Sequence, residues 1–283
     1  MSIIENQKYI ESQRQNWDRV APAWEKWDKN LEQSLSFVSY RLVGDARISP
    51  GQQVLDLGCG TGCPSILAAQ AVGDKGTVVG LDLSENMLAA ARRKAEQSGV
   101  KNISFHAKDV TSLPYESASF DAVISRFCLM FLPDIHGALN EISRVLKNGG
   151  YLSAAVWSTP DKNPFITIPM GVLKKYIEIP PPPPDQPGIF RLAKPGDLLG
   201  MAGSAGLSGL ADEEIAGESI FDSAEEYLAN VKELAAPLQP LFARLSKEQR
   251  EDAEGEIMNT ASKFKRGDKI ALPMVFRVVV AKK

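Results

Sequence analysis

The chain has 283 residues, 44% hydrophobic and 24% charged, the make-up of an ordinary globular protein that can bury a core without disulfide or metal staples. Its 32 basic and 35 acidic residues leave a net charge of -3, without the basic excess of a protein that coats nucleic acid. The cysteine count is odd, and two of the three lie in one glycine-rich region, which speaks against a disulfide framework and for a reducing, cytoplasmic setting.

The opening residues show no basic stretch followed by an apolar one, so no signal peptide is expected. No run approaches the roughly 20 apolar residues of a membrane-spanning helix. Residues 1–48 are polar and aromatic, with Tyr9, Trp17, Trp24 and Trp27, and predict one or two helices forming an N-terminal cap. Residues 49–157 then alternate between strand and helix patterns and read as a cofactor-binding core. Val54 to Leu57 is a short apolar strand, and a helix follows from about Pro64, since proline suits a first helical turn. Thr77 to Asp82 is the second strand. Ser84 caps a helix from Glu85 to about Gln97, which Gly99 ends. Ile103 to Ala107 is a third strand with Ile103, Phe105 and Ala107 on its apolar face, and Phe120 to Ser125 is a fourth. A helix from about Asp134 to Leu146 carries an apolar stripe through Ile135, Leu139 and Ile142 and is stopped by Asn148-Gly149-Gly150; Tyr151 to Trp157 is a fifth strand.

Beyond Trp157, residues 158–194 hold the proline run Pro180 to Pro184 and read as a connector or lid. Residues 195–283 return to the core, with a helical insertion at about 222–265 and a closing strand from Leu272 to Ala281. Ser223 with Glu226 and Ser246 with Gln249 fit capping boxes inside that insertion. Strands alternating with helices predict an α/β fold with an open, doubly wound, mostly parallel sheet whose ligand sits at the carboxyl ends of the strands.

The chemistry concentrates at Asp56-Leu57-Gly58-Cys59-Gly60-Thr61-Gly62, between the first strand and the first core helix. Glycines there permit a tight turn and close approach of a ligand. The dinucleotide fingerprint requires a glycine where this chain has Cys63, and the Gly-Lys-Ser/Thr ending of a phosphate loop is absent. Asp56 at the mouth repels a pyrophosphate and suits a ligand bearing ammonium and sulfonium charges. Asp82, at the end of the second strand, suits ribose hydroxyls, and Asp109, after the third, suits an adenine amino group.

These segments, with Gly80-Leu81-Asp82-Leu83-Ser84, Ala107-Lys108-Asp109-Val110 and Arg144 to Gly150, resemble the motifs of class I S-adenosylmethionine-dependent methyltransferases, most of all the branch of ubiquinone and menaquinone C-methyltransferases and related small-molecule enzymes. The resemblance is specific over about residues 50–157. It implies a Rossmann-like seven-stranded sheet with the last strand antiparallel, S-adenosylmethionine as cofactor, and a small organic methyl acceptor taken at oxygen or carbon. It also implies a set of cofactor residues. Asp56 with Gly58, Cys59, Gly60 and Gly62 would hold the methionine part. Asp82 would bind the ribose, Asp109 and Val110 would frame the adenine, and Leu83 and Met87 belong to the same cofactor-binding set. Arg126 and Phe127 would approach the transferred methyl, and Trp24 would close over the cofactor.

Phe127, Met130, Phe131, Trp157 and Phe190 are candidates for an apolar acceptor pocket. His106 and His136 are the two histidines and read as solvated rather than as bases, so no catalytic residue is assigned. Cys59 and Cys63 lack Cys-x-x-Cys spacing, and no metal site is expected. Ser125-Arg126-Phe127-Cys128 departs from the Asn-Pro-Pro-Tyr motif of enzymes that methylate nucleic-acid or glutamine nitrogens, so no nucleic-acid partner is expected. A homo-oligomer is left open. The competing readings are a non-catalytic S-adenosylmethionine-binding protein and, less favoured, a nicotinamide-dependent oxidoreductase.

Overall fold

The computed structural model of the chain describes residues 3–180 and 186–283. Two helices open it, α1 (Ile3–Lys26) and α2 (Asp28–Asp45). The core follows as β1 (Gln53–Leu57), α3 (Cys63–Val72), β2 (Thr77–Asp82), α4 (Glu85–Gln97), β3 (Ile103–Ala107), β4 (Phe120–Arg126), α5 (Ile135–Val145) and β5 (Leu146–Trp157). The rest comprises α6 (Pro164–Leu173), α7 (Asp197–Ser204), β6 (Ser208–Phe221), α8 (Ala224–Leu234), α9 (Gln239–Ala243), α10 (Lys247–Ala261), β7 (Lys265–Arg266) and β8 (Lys269–Lys282).

The sheet runs β3-β2-β1-β4-β5-β8-β6, with β7 hairpinned onto β8. Strands β1 to β5 pair in parallel, and β8 is antiparallel to both β5 and β6. The seven-stranded expectation therefore holds for the main path, and the two-residue β7 is an addition. Local chemistry sets the boundaries. The Ser84 hydroxyl accepts from Met87 N at 3.1 Å to start α4, and Asp134 accepts from Gly137 N at 2.8 Å to start α5.

Two expectations shift. The fifth helix ends at Val145, ahead of the Asn-Gly-Gly stop, because Leu146 already pairs with Phe120 and Lys147 reaches Asp121 at 2.9 Å; Gly149, at φ 85°, turns inside the strand instead. On β3 only Phe105 of the expected apolar face is fully buried, because β3 is an edge strand; its ring fills the space over Gly80, where a Cβ would lie 2.7 Å from it.

β5 ends at Trp157, paired with Phe276, but β6 and β8 continue past it as a two-stranded arm in which Ala216 to Phe221 pair with Val275 to Ile270. The arm carries the helical insertion, which has its own core. Ile168, Val172 and Leu173 of α6 meet Tyr227, Leu228 and Val231 of α8, Ala253 and Ile257 of α10, and Leu272 of β8. The 158–194 segment thus contributes α6 to this cap. Asn163, fully buried, fastens it: Nδ2 donates to Ser158 O, Thr159 O and Val275 O at 3.0–3.2 Å, and Oδ1 accepts from Val275 N at 2.8 Å. The proline run lies, apart from Pro180, outside the described residues. Ser246 and Gln249 form the full capping box of α10. Ser223 makes half of one, since the Glu226 carboxylate takes Asp222 N instead.

Candidate functional site

The carboxyl ends of β1, β2 and β4 meet beneath α1 and α2. In the loop after β1, Gly58, Gly60 and Gly62 all have positive φ, at 68°, 54° and 88°. Their surroundings differ. A Cβ on Gly58 would lie 2.4 Å from Cys128 Cβ, and one on Gly62 would lie 3.0 Å from Ala91 Cβ, whereas one on Gly60 would meet nothing within 4 Å. Gly60 is where the bare backbone faces open space. Cys59 N donates to Leu81 O at 2.9 Å, tying the loop to β2.

Gly60 N also donates to Asp82 Oδ2 at 2.9 Å, and Ser84 N donates to Asp82 Oδ1 at 2.9 Å. The carboxylate is thereby fixed in orientation, with a second lone pair on each oxygen left for a diol. Burial raises its pKa above the ordinary carboxylate range, the three backbone N–H groups of Ser84, Gly60 and Leu83 oppose this, and the charge of Asp18 adds to it.

Asp56 is not at the mouth, as its place in the sequence suggested, but wholly buried under the loop. The Ser65 hydroxyl donates to its Oδ2 at 2.5 Å, while Oδ1 has no partner. Burial pushes its pKa up to about 7; the Ser65 bond and the Arg126 charge act against this, and Asp82 adds to it. A buried carboxylate oxygen without a donor calls for a cation or a strong donor beside it. Arg126 does not close on it: its Nη1 donates to Ser39 Oγ of α2 at 2.8 Å.

Asp109 Oδ1 accepts from Thr111 N at 2.9 Å in a local turn, and Val110 beside it is buried. Lys108 N donates to Asp82 O at 3.1 Å, which brings this turn against the end of β2. Leu83 is half-buried, and Met87 packs into a small cluster with Val20 and Ala21 of α1 and with Ala236. Trp24 packs on the same cluster, and its indole N–H donates to Leu234 O at 3.4 Å. Trp17, seven residues earlier and so on the same helical face, meets both Trp24 and Phe131 edge-on at 5.9 Å. That spacing was the available signal that Trp17 belongs here, and it was missed, as were Asp18 and Ser65.

Phe127 has φ 60°, a left-handed conformation that costs a bulky residue about 1–3 kcal/mol. It is held there by its N–H on Ala155 O at 2.8 Å and by its ring, which stacks on Trp157 at 5.1 Å and leans on Phe276 at 5.0 Å. Trp157 stacks in turn on Phe165 at 6.4 Å, and Phe165 on Phe221 at 6.2 Å, so an aromatic run leads from the end of β4 into the cap. Of the other candidate pocket residues, Met130 is buried in the main core, Phe131 turns to Trp17, and Phe190 packs on the main core from outside. His106 and His136 are both exposed. Cys59, Cys63 and Cys128 are free thiols.

The buried acid with an orphaned oxygen, the open backbone at Gly60 and the anchored Asp82 fit an amino-acid nucleoside with an ammonium at one end and a ribose at the other. A separate surface groove of about 620 Å³, lined by Trp27, Gln33, Ile220 and Lys269 among others, shares no residue with this site; several of its charges are paired, as in Lys269–Asp222, Glu218–Arg266 and Lys26–Glu233.

Comparison with known proteins agrees with this geometry. A family described as "Methyltransferase domain" matches residues 48–170. The demethylmenaquinone methyltransferase of Listeria welshimeri is 34% identical over 152 residues, which span 51% of this chain and 64% of the relative. That of Bacillus pumilus is 35% identical over 157 residues, spanning 53% and 67%. The chain thus matches about two thirds of the length of these relatives. Among solved structures, a putative methyltransferase from Bacillus halodurans shares the fold, with a TM-score of 0.58 at 20% identity over 87% of this chain and 98% of that one. On these matches, of which the family model spans β1 to β5 and the loops after them, the chain belongs to the class I S-adenosylmethionine-dependent methyltransferases.

Proposed function

We propose that the protein transfers a methyl group from S-adenosylmethionine to a small organic acceptor, at oxygen or carbon. The observation that carries this reading is the pairing of a buried carboxylate with one unpartnered oxygen, Asp56, with a backbone-anchored carboxylate, Asp82, on adjacent strands. When bound, the cofactor supplies a methyl on a neutral leaving group.

The chain's residues bind and orient. Asp56 Oδ1 takes the ammonium, while Gly58, Cys59, Gly60 and Gly62 let the methionine part lie against main chain. Asp82 accepts both ribose hydroxyls. Asp109 accepts from the adenine amine, with Leu83, Met87 and Val110 as apolar walls, and Trp24 closes the site from α1. Arg126 and Phe127 flank the methyl. The aromatic run through Trp157 and Phe165 walls the acceptor side and keeps water away, and the cap, including 158–194, sets acceptor choice. No base is assigned, since both histidines are exposed; proximity and alignment at about 3–3.5 Å carry the transfer. The named substrate of the matched relatives, a demethylmenaquinone, supports a small organic acceptor.

Calorimetry with S-adenosylmethionine and a methyl-transfer screen over phenols, quinol precursors, amines, carboxylates and isoprenoids test this reading. Failure of the intact protein to bind the cofactor rejects it. Binding without turnover on the whole panel favours a non-catalytic cofactor-binding protein.

A further inference from the structure

α1 stays helical from Ile3 to Lys26 yet carries Pro22 in its interior. Proline has no N–H, so the carbonyl four residues earlier, that of Asp18, loses its partner within the helix. Asn86, in the first turn of α4, takes it over: Nδ2 donates to Asp18 O at 3.2 Å. The Asp18 side chain joins the same place. Its Oδ1 accepts from Ser84 Oγ at 2.7 Å and from Asn86 N at 3.3 Å, so the carboxylate sits on the positive end of α4. Ser84 is also the residue whose N–H holds Asp82 Oδ1 at 2.9 Å. Asp18 is therefore one hydrogen-bonded residue away from the carboxylate assigned to the ribose. Two acids in one corner repel, and Arg14, at 2.8 Å from Asp18 Oδ2, offsets part of this.

The two sides of Pro22 are held differently. On its C-terminal side the chain is fastened to the body by Trp24 on Leu234 O, Glu25 on Arg93, Lys26 on Glu233 and Asp28 on Lys94. On its N-terminal side Asp18, whose carbonyl lacks the helical bond, is the polar clasp onto α4, Trp17 rests edge-on against Phe131, and Val20 and Ala21 pack on Met87.

We propose that α1 is a latch on the cofactor site, in which Asp18 is a positioning residue that sets Asp82 through Ser84 and the helix opens about Pro22 when this clasp releases. The proposal rests on the reading of Asp82 as the ribose ligand. Because Ser84 contacts both acids, a ligand on Asp82 favours the closed clasp only through its differential contacts with the closed state, and cofactor exchange requires the clasp to open. An intact helical hydrogen bond at position 22 would stiffen the hinge; proline removes it, and Asn86 supplies the replacement only in the closed position.

The test is stopped-flow dissociation of S-adenosylhomocysteine from the full chain, followed by tryptophan fluorescence, with hydrogen exchange over residues 3–21. Asp18→Ala is expected to raise the dissociation rate roughly tenfold and to speed exchange in 3–21. Asp18→Asn, whose amide oxygen still accepts from Ser84, is expected to stay within about threefold of the unmodified protein. Pro22→Ala returns an N–H to Asp18 O and is expected to slow both association and dissociation several-fold, with the equilibrium constant within about twofold. Asn86→Ala, which keeps every carboxylate, is expected to speed dissociation about threefold to fivefold and serves if Asp18→Ala does not fold. Dissociation from Asp18→Ala and Asn86→Ala within twofold of the unmodified protein, or identical exchange of 3–21 with and without ligand, overturns the latch. No binding of S-adenosylhomocysteine by the unmodified protein overturns the ribose-site reading instead.

Discussion

The burial of Asp56 makes cofactor affinity depend on pH in a calculable way. Burial is the largest cause of its displacement to about 7, outweighing the Ser65 hydrogen bond and the Arg126 charge. In the proposed assignment the ammonium of the cofactor takes the ionised carboxylate of Asp56. At pH 6 only about one tenth of the free protein carries it, so the apparent Kd is expected to weaken about tenfold per unit below 7. Above about 8 a free α-ammonium begins to lose its proton, which places the affinity maximum between about 7 and 8. Calorimetry from pH 5.5 to 8.5, in phosphate and in an amine buffer of different ionisation enthalpy, reports both Kd and the proton count. Close to one proton is expected to leave on binding at pH 6. Binding of 5′-methylthioadenosine, which lacks the amino-acid part, is expected to be flat over the same range. Stability runs with the opposite sign to affinity. The folded pKa lies above the unfolded value of 3.8, so the folded state holds the extra proton between about 4 and 7, and stability is lost as pH rises through that window. The loss is bounded by about 4 kcal/mol, at roughly 1.4 kcal/mol per unit. Asp56→Asn is expected to remove the slope and to be the more stable protein at pH 8, while binding S-adenosylmethionine poorly. A Kd unchanged between pH 6 and 7.5, with no proton released, would refute the assignment of the ammonium to Asp56.

Four further outcomes follow from the same contacts. In the proposed assignment Asp82→Ala removes two charge-assisted bonds to the ribose, each worth about 1.5–3 kcal/mol, so both S-adenosylmethionine and 5′-methylthioadenosine are expected to weaken at least about 100-fold in calorimetry; unchanged binding of the latter would move the ribose elsewhere. Gly58→Ala, driven against Cys128, is expected to lower Tm by several degrees, whereas Gly60→Ala, with open space around it, should cost only the roughly 1 kcal/mol of a positive φ while blocking the cofactor; a Gly60→Ala protein that binds normally would show that the loop does not face the ligand. Asn163→Ala breaks the four bonds that fasten α6 and is expected to cost at least about 2 kcal/mol in denaturant unfolding and to speed hydrogen exchange in 164–173, with S-adenosylmethionine Kd unchanged. Asn230→Leu removes a fully buried amide whose Nδ2 has no partner and is expected to raise stability by about 1–2 kcal/mol; a fall in Tm would show that the amide is satisfied in solution.

The cofactor half was legible because its signals are local. Ser84 caps a helix, Pro64 opens one, and the glycines at positive φ sit between a strand and a helix, each next to the element it starts or ends. Element boundaries failed where a distant partner decided them: Leu146 extends as strand because Phe120 pairs with it. The depth of Asp56 was misjudged for a related reason. A residue two positions before a loop reads as lining it, but the parallel neighbours β2 and β4 on both sides bury its side chain. Ser65, missed in the sequence, acts on Asp56 only nine residues away, but other contacts of the site cross long separations. Asp18 and Ser84 are 66 residues apart, and Arg126 and Ser39 are 87. The trace such contacts leave in the sequence is indirect, such as a proline four residues after an aspartate within a helical pattern.

The arm formed by β6 and β8 has a consequence for how the acceptor side can change. The helical insertion leaves the sheet at Phe221 and returns at Ile270, and these two residues are directly paired across the arm. Its ends are therefore already in register before the insertion folds, so the entropy of closing it grows only slowly with its length, by about 0.6 kcal/mol per doubling. A longer, shorter or unrelated helical unit grafted between those positions would meet the same two strand ends, and would have to pack against α6 and against the face of α1 that carries Trp24 and Lys26. On the proposed assignment of this cap to the acceptor, the insertion is an exchangeable cassette, provided that its replacement keeps the contacts to Trp24 and Met87 now made by Leu234 and Ala236.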